Sequence, residues 1–366
     1  MIKLASVRVS IAGCCVLALL AAGAATAKEV RIYNWSDYID DEILKEFEKE
    51  TGIKLVYDVF DSNEILETKL LAGGSGYDVV VPSAPFLGRQ VKANVFQKLD
   101  KSKLPNLQHM WPLIMERTAK HDPGNDYSIN YMWGTTGIGY NEAKIKERMA
   151  DAPVDSWALV FDPDVISKFK DCGVHVLDAA DDVFPAALNY LGLDPNSGKA
   201  EDIQKAADLL AKVRPYIQKF HSSEYINALA NGDICIAVGY SGDILQARDR
   251  AAESENNVTV IYSLPKEGAQ MWFDQMAIPA DAKHVEEAHV FLNYLMKPEV
   301  IAKASNYANY ANGNLASQEF VDEQVKGDKS IYPDDETLKR LFVNDAYEGA
   351  EQRIVTRAWT RVVTGQ

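Results

Sequence analysis

"EVRIYNWSDYIDDEILKEFEKETGIKLVYDVF", residues 29–60, holds a complete strand–helix–strand unit. "EVRIY" reads as a short apolar strand. Asp40 or Asp41 stands where a helix N-cap belongs, and Ile43, Leu44 and Phe47 recur at helical spacing through "EILKEFEKETG". Gly52 supplies a residue suited to ending that helix. "IKLVYDVF" is the next strand. Between the first strand and the helix, "NWSDYI" packs Trp35, Ser36, Asp37 and Tyr38 into a loop with little core character.

The same alternation runs outward from this unit. Ser62 or Asn63 can cap the helix "EILETKLLAGG", and "YDVVVPS" (77–83) is a continuous apolar run, as expected of a strand covered on both faces. In the second half "GVHVLD" reads as a strand. "DVFPAALNYLGL" and "KAEDIQKAADLLAKVRPYIQKF" read as amphipathic helices. "SSEYINALANGDICIAVGYSGD" reads as helix, turn, strand and loop. "VTVIYSLP" and "QMWFDQMAIPA" are strands, and "VEEAHVFLNYLMKPEVIAKASNYA" is largely helical. Strands alternating with helices predict parallel βα units, hence an α/β fold. A chain of 366 residues suits two domains or one two-lobed unit. With no low-complexity linker in sight, the lobes must be joined by ordered chain. The best candidates are 127–141 and 270–279.

The formal net charge is −15, which argues against nucleic acid or an anionic lipid surface as partner. The N-terminus reads as a cleavable export signal over residues 1–27. Lys3 and Arg8 precede an apolar run from Ile11 to Ala25, which ends in Ala25-Thr26-Ala27. That run falls short of the roughly 20 residues a membrane-spanning helix needs. Ile11-Ala12-Gly13-Cys14 resembles a lipoprotein cleavage box, but the apolar stretch lies mostly after Cys14, where such a box needs it before. Cleavage after Ala27 leaves 36 basic and 53 acidic side chains in an exported, periplasmic chain. Cys172 and Cys235 remain, an even pair that suggests one disulfide, with two buried thiols as the alternative.

Ligands of open α/β sheets sit beyond the carboxyl ends of the strands. Trp35, Ser36, Asp37 and Tyr38 follow the first strand, and Ser83 follows "DVVVP". Asp181 and Asp182 follow "HVLD", and Tyr240 and Asp243 follow "CIAVG". Trp272 and Asp274 lie in the second crossover candidate. These positions are rich in carboxylates and aromatic rings, with no lysine or arginine. Ammonium groups pair with carboxylates, and ring faces attract cations and cover methylenes, so the chemistry suits a small organic cation. By themselves Asp37 could also cap the following helix, Asp181 reads as a solvated residue, and Tyr310 reads as core, with "SNYANY" continuing the helix.

Enzyme signatures are incomplete. "GYSGD" (239–243) ends in Asp243 where the nucleophile pattern has glycine. "GTTGIG" (134–139) reverses the dinucleotide fingerprint, and "AGGSGYD" lacks the lysine of a phosphate loop. His284 and His289 are spaced for different helix faces, so no metal site is indicated. A hydrolase using paired cleft carboxylates remains the alternative.

"NWSDYI", "GYDVVVPS", "YMWGTTGIGYN", "DICIAVGYSGD", "WFD" before "IPADA", "YANGN" and the ending "TRAWTRVVTGQ" occur here in order across residues 28–366. Together they resemble the exported polyamine-binding receptors of ABC importers, which bind putrescine and spermidine. The resemblance implies a two-lobed class II periplasmic binding protein fold with the ligand cleft between lobes. Residues 28–135 plus 275–328 would form one lobe and 136–274 plus 329–366 the other. It implies that Trp35, Ser36, Asp37, Tyr38, Ser83, Asp182, Tyr240, Asp243, Trp272, Asp274 and Tyr310 contact a polyamine, and that Cys172 pairs with Cys235. Asp274 and Asp243 would hold ammonium groups, and Asp182 would reach the distal end. It implies no enzyme activity, cofactor or metal, a monomer, and delivery to ABC permease subunits. The chain departs from the family in having Asp182 where glutamate is common, and Tyr240 where some members have tryptophan. Position 272 is tryptophan as in spermidine-preferring members, so the expected ligand is spermidine, with putrescine second.

Overall fold

The computed structural model describes residues 28–254 and 256–365. The leader expected over residues 1–27 and the cleavage box at Cys14 lie outside them. β1 (Glu29–Trp35) pairs in parallel with β2 (Lys54–Phe60) and with β3 (Val79–Val80). The intervening helix Asp41–Thr51 starts at Asp40, whose carboxylate accepts the Glu42 amide, and ends at Gly52 in the left-handed region, φ 68°. Helix Asn63–Leu71 is capped by the Ser62 hydroxyl. β1 runs two residues past the expected "EVRIY", because its ladder with β2 continues to the Trp35–Phe60 pair. Trp35 therefore ends a strand instead of sitting in a loop. The apolar run at 77–83 contributes a strand of only two residues.

Alternation along β1 sends side chains to both faces of the sheet. Val30 and Ile32 join Ile43, Phe47, Phe291 and Leu292 in one core. Tyr33 packs on the opposite face with Phe60, Leu66, Leu70 and Leu87. A separate, larger core gathers Ile138, Trp157, Phe161, Val174, Phe184, Leu210 and Val238. It surrounds a second group of strands, in which β5 (Val174–Val176) lies parallel to β6 (Lys219–Phe220) and to β7 (Ile236–Tyr240). Two cores, each around its own strand group, make this a two-lobed α/β protein.

Two long strands join the halves. β4 (Ser128–Asn141) is buried along all 14 residues. Ser128 to Thr135 pair with the strand Ala269–Ala277, and Thr136 to Tyr140 pair with β7, so β4 changes partner between Thr135 and Thr136. After β8 (Val260–Ser263), which also borders β4, the strand Ala269–Ala277 is β9. β9 borders β3 at Ala277, and β10 (Ala311–Asn312) borders β4. β11 (Leu341–Phe342) is parallel to the start of β9 at Ala269 and Gln270. The segments 127–141 and 270–279, expected to be ordered connections, are these two strands.

Three local differences from the sequence reading have simple causes. The stretch 199–220 is not one helix: Pro215 stops it, leaving helix Ala200–Val213, a 3-10 turn and β6. "SGD" opens the helix Ser241–Glu253 instead of a loop. The helix before Tyr310 ends at Ala308, because Asn309 takes the left-handed conformation (φ 57°) and turns the chain. Among the described residues, no helix is long and apolar enough to cross a membrane.

Cys172 and Cys235 form a disulfide with their Cα atoms 5.6 Å apart, closing a loop of 63 residues beneath β5 and β7. The chain-entropy account gives a loop of that size about 4 kcal/mol. Replacing both cysteines with serine should lower the unfolding free energy in urea by about 2–4 kcal/mol, with little change in the native circular dichroism spectrum. An unchanged midpoint would mean that the disulfide contributes nothing to stability.

Candidate ligand-binding site

A cleft of about 720 Å³, counting its open mouth, lies between the two cores. Ten of the eleven expected residues line it: Trp35, Ser36, Tyr38, Ser83, Asp182, Tyr240, Asp243, Trp272, Asp274 and Tyr310. They arrive from strand ends and helix starts. Trp35 ends β1, Ser83 precedes helix Ala84–Lys92, and Asp182 is in the first turn of helix Ala180–Tyr190. Tyr240 ends β7, and Asp243 is in the first turn of helix Ser241–Glu253. Trp272 and Asp274 alternate along β9, so both face the same side.

The structure does not bring Asp37 into this wall. Its carboxylate lies 2.6 Å from Arg250 Nη2, and its carbonyl accepts a bond from Gln246. Nor does it cap the following helix, since Asp40 does. The backbone of Asp37 is left-handed, φ 54°. Asp181, which read as solvated, has a side chain only 15% exposed and lines the cleft. Asp61, Asn63, Phe86, Ser222, Gln270, Asn344 and Asp345 also line it, and no sequence motif marked them. Tyr131 and Tyr140 are buried core residues, and Trp133 packs inside with its indole nitrogen on the Asn312 carbonyl.

Each of three deep carboxylates is held by hydroxyls and not by cations. Asp274 accepts from Ser83 Oγ at 2.6 Å and from Tyr38 OH at 2.8 Å. Asp243 accepts from Tyr225 OH at 2.6 Å and Tyr310 OH at 2.7 Å. Asp182 accepts from Tyr240 OH at 3.2 Å and Thr136 Oγ1 at 3.3 Å. Burial pushes Asp274 and Asp182 up to about 7 and Asp243 up to about 6, with the hydroxyl bonds opposing the rise. Among the described residues no lysine or arginine lines the cleft.

Aromatic rings form the remaining wall. Tyr240 and Trp272 meet edge to face at 5.6 Å, Trp272 and Tyr310 at 5.2 Å, Tyr38 and Tyr310 at 5.2 Å, and Trp35 reaches Tyr240 at 6.5 Å. The Tyr240 amide bonds Tyr225 OH, which also holds Asp243, while the Tyr240 hydroxyl holds Asp182. One tyrosine ring therefore spans the gap between the two carboxylates. The indole nitrogen of Trp272 and the side-chain Oε1 of Gln270 are buried and lack a partner among the described residues. Such atoms ordinarily bond a ligand or water.

One glycine in each of two enzyme-like motifs is explained by these rings. A Cβ on Gly134 would stand 2.6 Å from the Trp272 ring, and one on Gly242 would stand 2.5 Å from the Tyr310 ring. "GTTGIG" and "GYSGD" supply close approach under aromatic side chains, not a dinucleotide turn or a nucleophile elbow.

Two α/β lobes linked by long shared strands, with a built polar and aromatic cleft between them, define a solute receptor. A family model described as bacterial extracellular solute-binding protein matches residues 42–333, and the chain belongs to that family. The putrescine-binding periplasmic protein SpuD of Pseudomonas aeruginosa is 52% identical over 346 residues, 94% of each chain. The putrescine-binding periplasmic protein PotF of Escherichia coli is 53% identical over 345 residues, 94% of this chain and 93% of that one. A solved structure of a putative spermidine/putrescine ABC transporter protein from Listeria monocytogenes superposes with a TM-score of 0.83 at 34% identity, covering 93% of this chain and all of that one. These relatives are solute-binding transport proteins, so the hydrolase alternative is set aside.

The raised carboxyls make a stability prediction. Asp274 and Asp182 hold protons in the folded chain up to about pH 7, but in the unfolded chain only to near 4. Between those values the folded state carries extra protons, so this contribution to stability falls as pH rises. Scanning calorimetry of the ligand-free protein should show a steeper loss of melting temperature from pH 5 to pH 8 in the wild type than in Asp274→Asn. Parallel curves for the two proteins would contradict the assignment.

Proposed function

We propose that the protein is an exported receptor that captures a polyamine, putrescine in preference to spermidine, and delivers it to the permease of an ABC importer. The observation that carries this reading is the set of three buried carboxylates held only by hydroxyls inside an aromatic box. Ionised carboxylates in such a place are costly without a counter-charge. A dication supplies one, and the rings cover its methylenes. One ammonium sits at Asp243 and Asp274, and the other lies toward Asp182. Closure of the lobes around the chain of methylenes would complete the site within a single copy of the protein.

The preference for putrescine departs from the expectation drawn from Trp272. The two relatives above 50% identity are both named for putrescine binding. Trp272 is also only 7% exposed and wedged between Tyr240 and Tyr310, so its added bulk fills cleft volume and does not extend a platform. A larger ring used this way favours a shorter ligand.

Titration calorimetry tests the reading. Putrescine should bind more tightly than spermidine, and glutamate and maltose should give no heat. Tighter binding of spermidine would reverse the preference, and no heat with either polyamine would remove the polyamine assignment. Asp274→Asn should weaken putrescine at least about 30-fold, the scale of a lost buried charge pair. Binding needs the carboxylates ionised, so affinity should fall below about pH 7, with protons released on binding in calorimetry across buffers of different ionisation enthalpy.

A further inference from the structure

Arg89 stands just behind the cleft wall, and its side chain is 16% exposed. It rises from helix Ala84–Lys92, whose Phe86 lines the cleft. Its Nε and Nη2 bond both oxygens of Glu67 at 2.6 and 2.7 Å, a two-pronged grip that fixes the guanidinium plane. That grip leaves Nη1 pointing across to the other lobe, where it bonds Gln352 at 3.2 Å and lies 3.5 Å from Asp181 Oδ2. The guanidinium carbon also sits 3.8 Å from the centre of the Phe86 ring.

Asp181 and Phe86 both line the cleft, and Asp181 adjoins Asp182 in the first turn of the same helix. They are one carboxylate and one ring, the two kinds of group that would receive an ammonium there. Phe86 is stacked by the protein's own cation, and Asp181 has that cation as its ion-pair partner at 3.5 Å, with Oδ2 otherwise unbonded among the described residues. Asp345, also in the lining, is paired with Lys120 at 2.5 Å. Asp182 has only hydroxyl partners, so it is the carboxylate left for a ligand.

We infer that Arg89 is a specificity-determining residue: it occupies the position of a third ammonium and makes the cleft a site for diamines instead of triamines. The inference rests on the polyamine reading. A triamine extended past Asp182 meets Asp181 and Phe86 with the guanidinium directly behind them, so the Asp181 charge is already neutralised and the like charges repel. This is discrimination by an unfavourable contact with the wrong ligand. Arg89 has a second effect, because it bridges the lobes through Gln352 and Asp181. Loss of that bridge would weaken all ligands together and leave their ratio unchanged. The ratio is therefore the informative quantity.

The test uses the full mature chain and three ligands: putrescine, spermidine, and N-propylputrescine, which is spermidine without its terminal amine. In the wild type, N-propylputrescine should bind more tightly than spermidine, because it does not bring the third charge to Arg89. In Arg89→Gln that order should reverse. The ratio of spermidine to putrescine dissociation constants should fall about tenfold or more, as expected for relief of a like-charge contact. In Arg89→Gln/Asp181→Asn the gain should shrink, since the repulsion is still relieved but the freed carboxylate is gone. An unchanged ratio in a folded Arg89→Gln protein would reduce Arg89 to a lobe bridge and overturn the inference. So would a ratio in the double variant that returns no part of the change, or a wild-type protein that binds spermidine more tightly than N-propylputrescine. A wild type that binds none of the three overturns the polyamine reading and takes this inference with it.

Discussion

Three buried carboxylates that face no cation constrain everything around them. An aspartate in a low-dielectric wall is tolerated only when its oxygens are bonded or its charge is given up. Here Asp274 takes hydroxyls from Ser83 and Tyr38, and Asp243 takes hydroxyls from Tyr225 and Tyr310. These donors come from distant parts of the chain: Tyr38 and Asp274 are 236 residues apart, and Tyr310 and Asp243 are 67 apart. The requirement to satisfy them fixes how the strand ends of both lobes meet. Hydroxyl partners leave the sites short of positive charge, and that is the condition for capturing a cation.

The βα grammar of the fold was open to reading in the sequence, because apolar periodicity and caps are local. Asp40, Gly52 and the run 77–83 mark their elements within a few residues. What failed were points where a neighbour decides. β1 extends to Trp35 because β2 lies alongside it, and "SGD" becomes helical because the helix it opens packs against the rest of the lobe. Pro215 was visible, but the amphipathic pattern around it was stronger.

The site divides in the same way. Residues at strand ends with an unusual composition, such as Trp35, Tyr240 and Asp274, could be found from sequence because aromatic and acidic side chains seldom crowd into short connections. Asp37 has the same composition and the opposite fate, since its left-handed backbone turns the carboxylate out to Arg250. Asp181 could not be told from a solvated helix-start acid, because its environment is made by Arg89 and Asn344 from far away in the chain. Gln270 and Asn344 carry no local signal at all.

The placement of Trp272 and Asp274 on β9 has an evolutionary consequence. That strand is buried along its length and paired with β4 on both sides of a bulge that β4 makes at Tyr131. One inserted or deleted residue would turn its side chains to the opposite face and take Asp274 off its two hydroxyls. Loops elsewhere on the surface can vary in length without touching the cleft. Along this wall, descendants of the protein can change what they recognise only by exchanging one side chain for another, and never by changing the length of the strand.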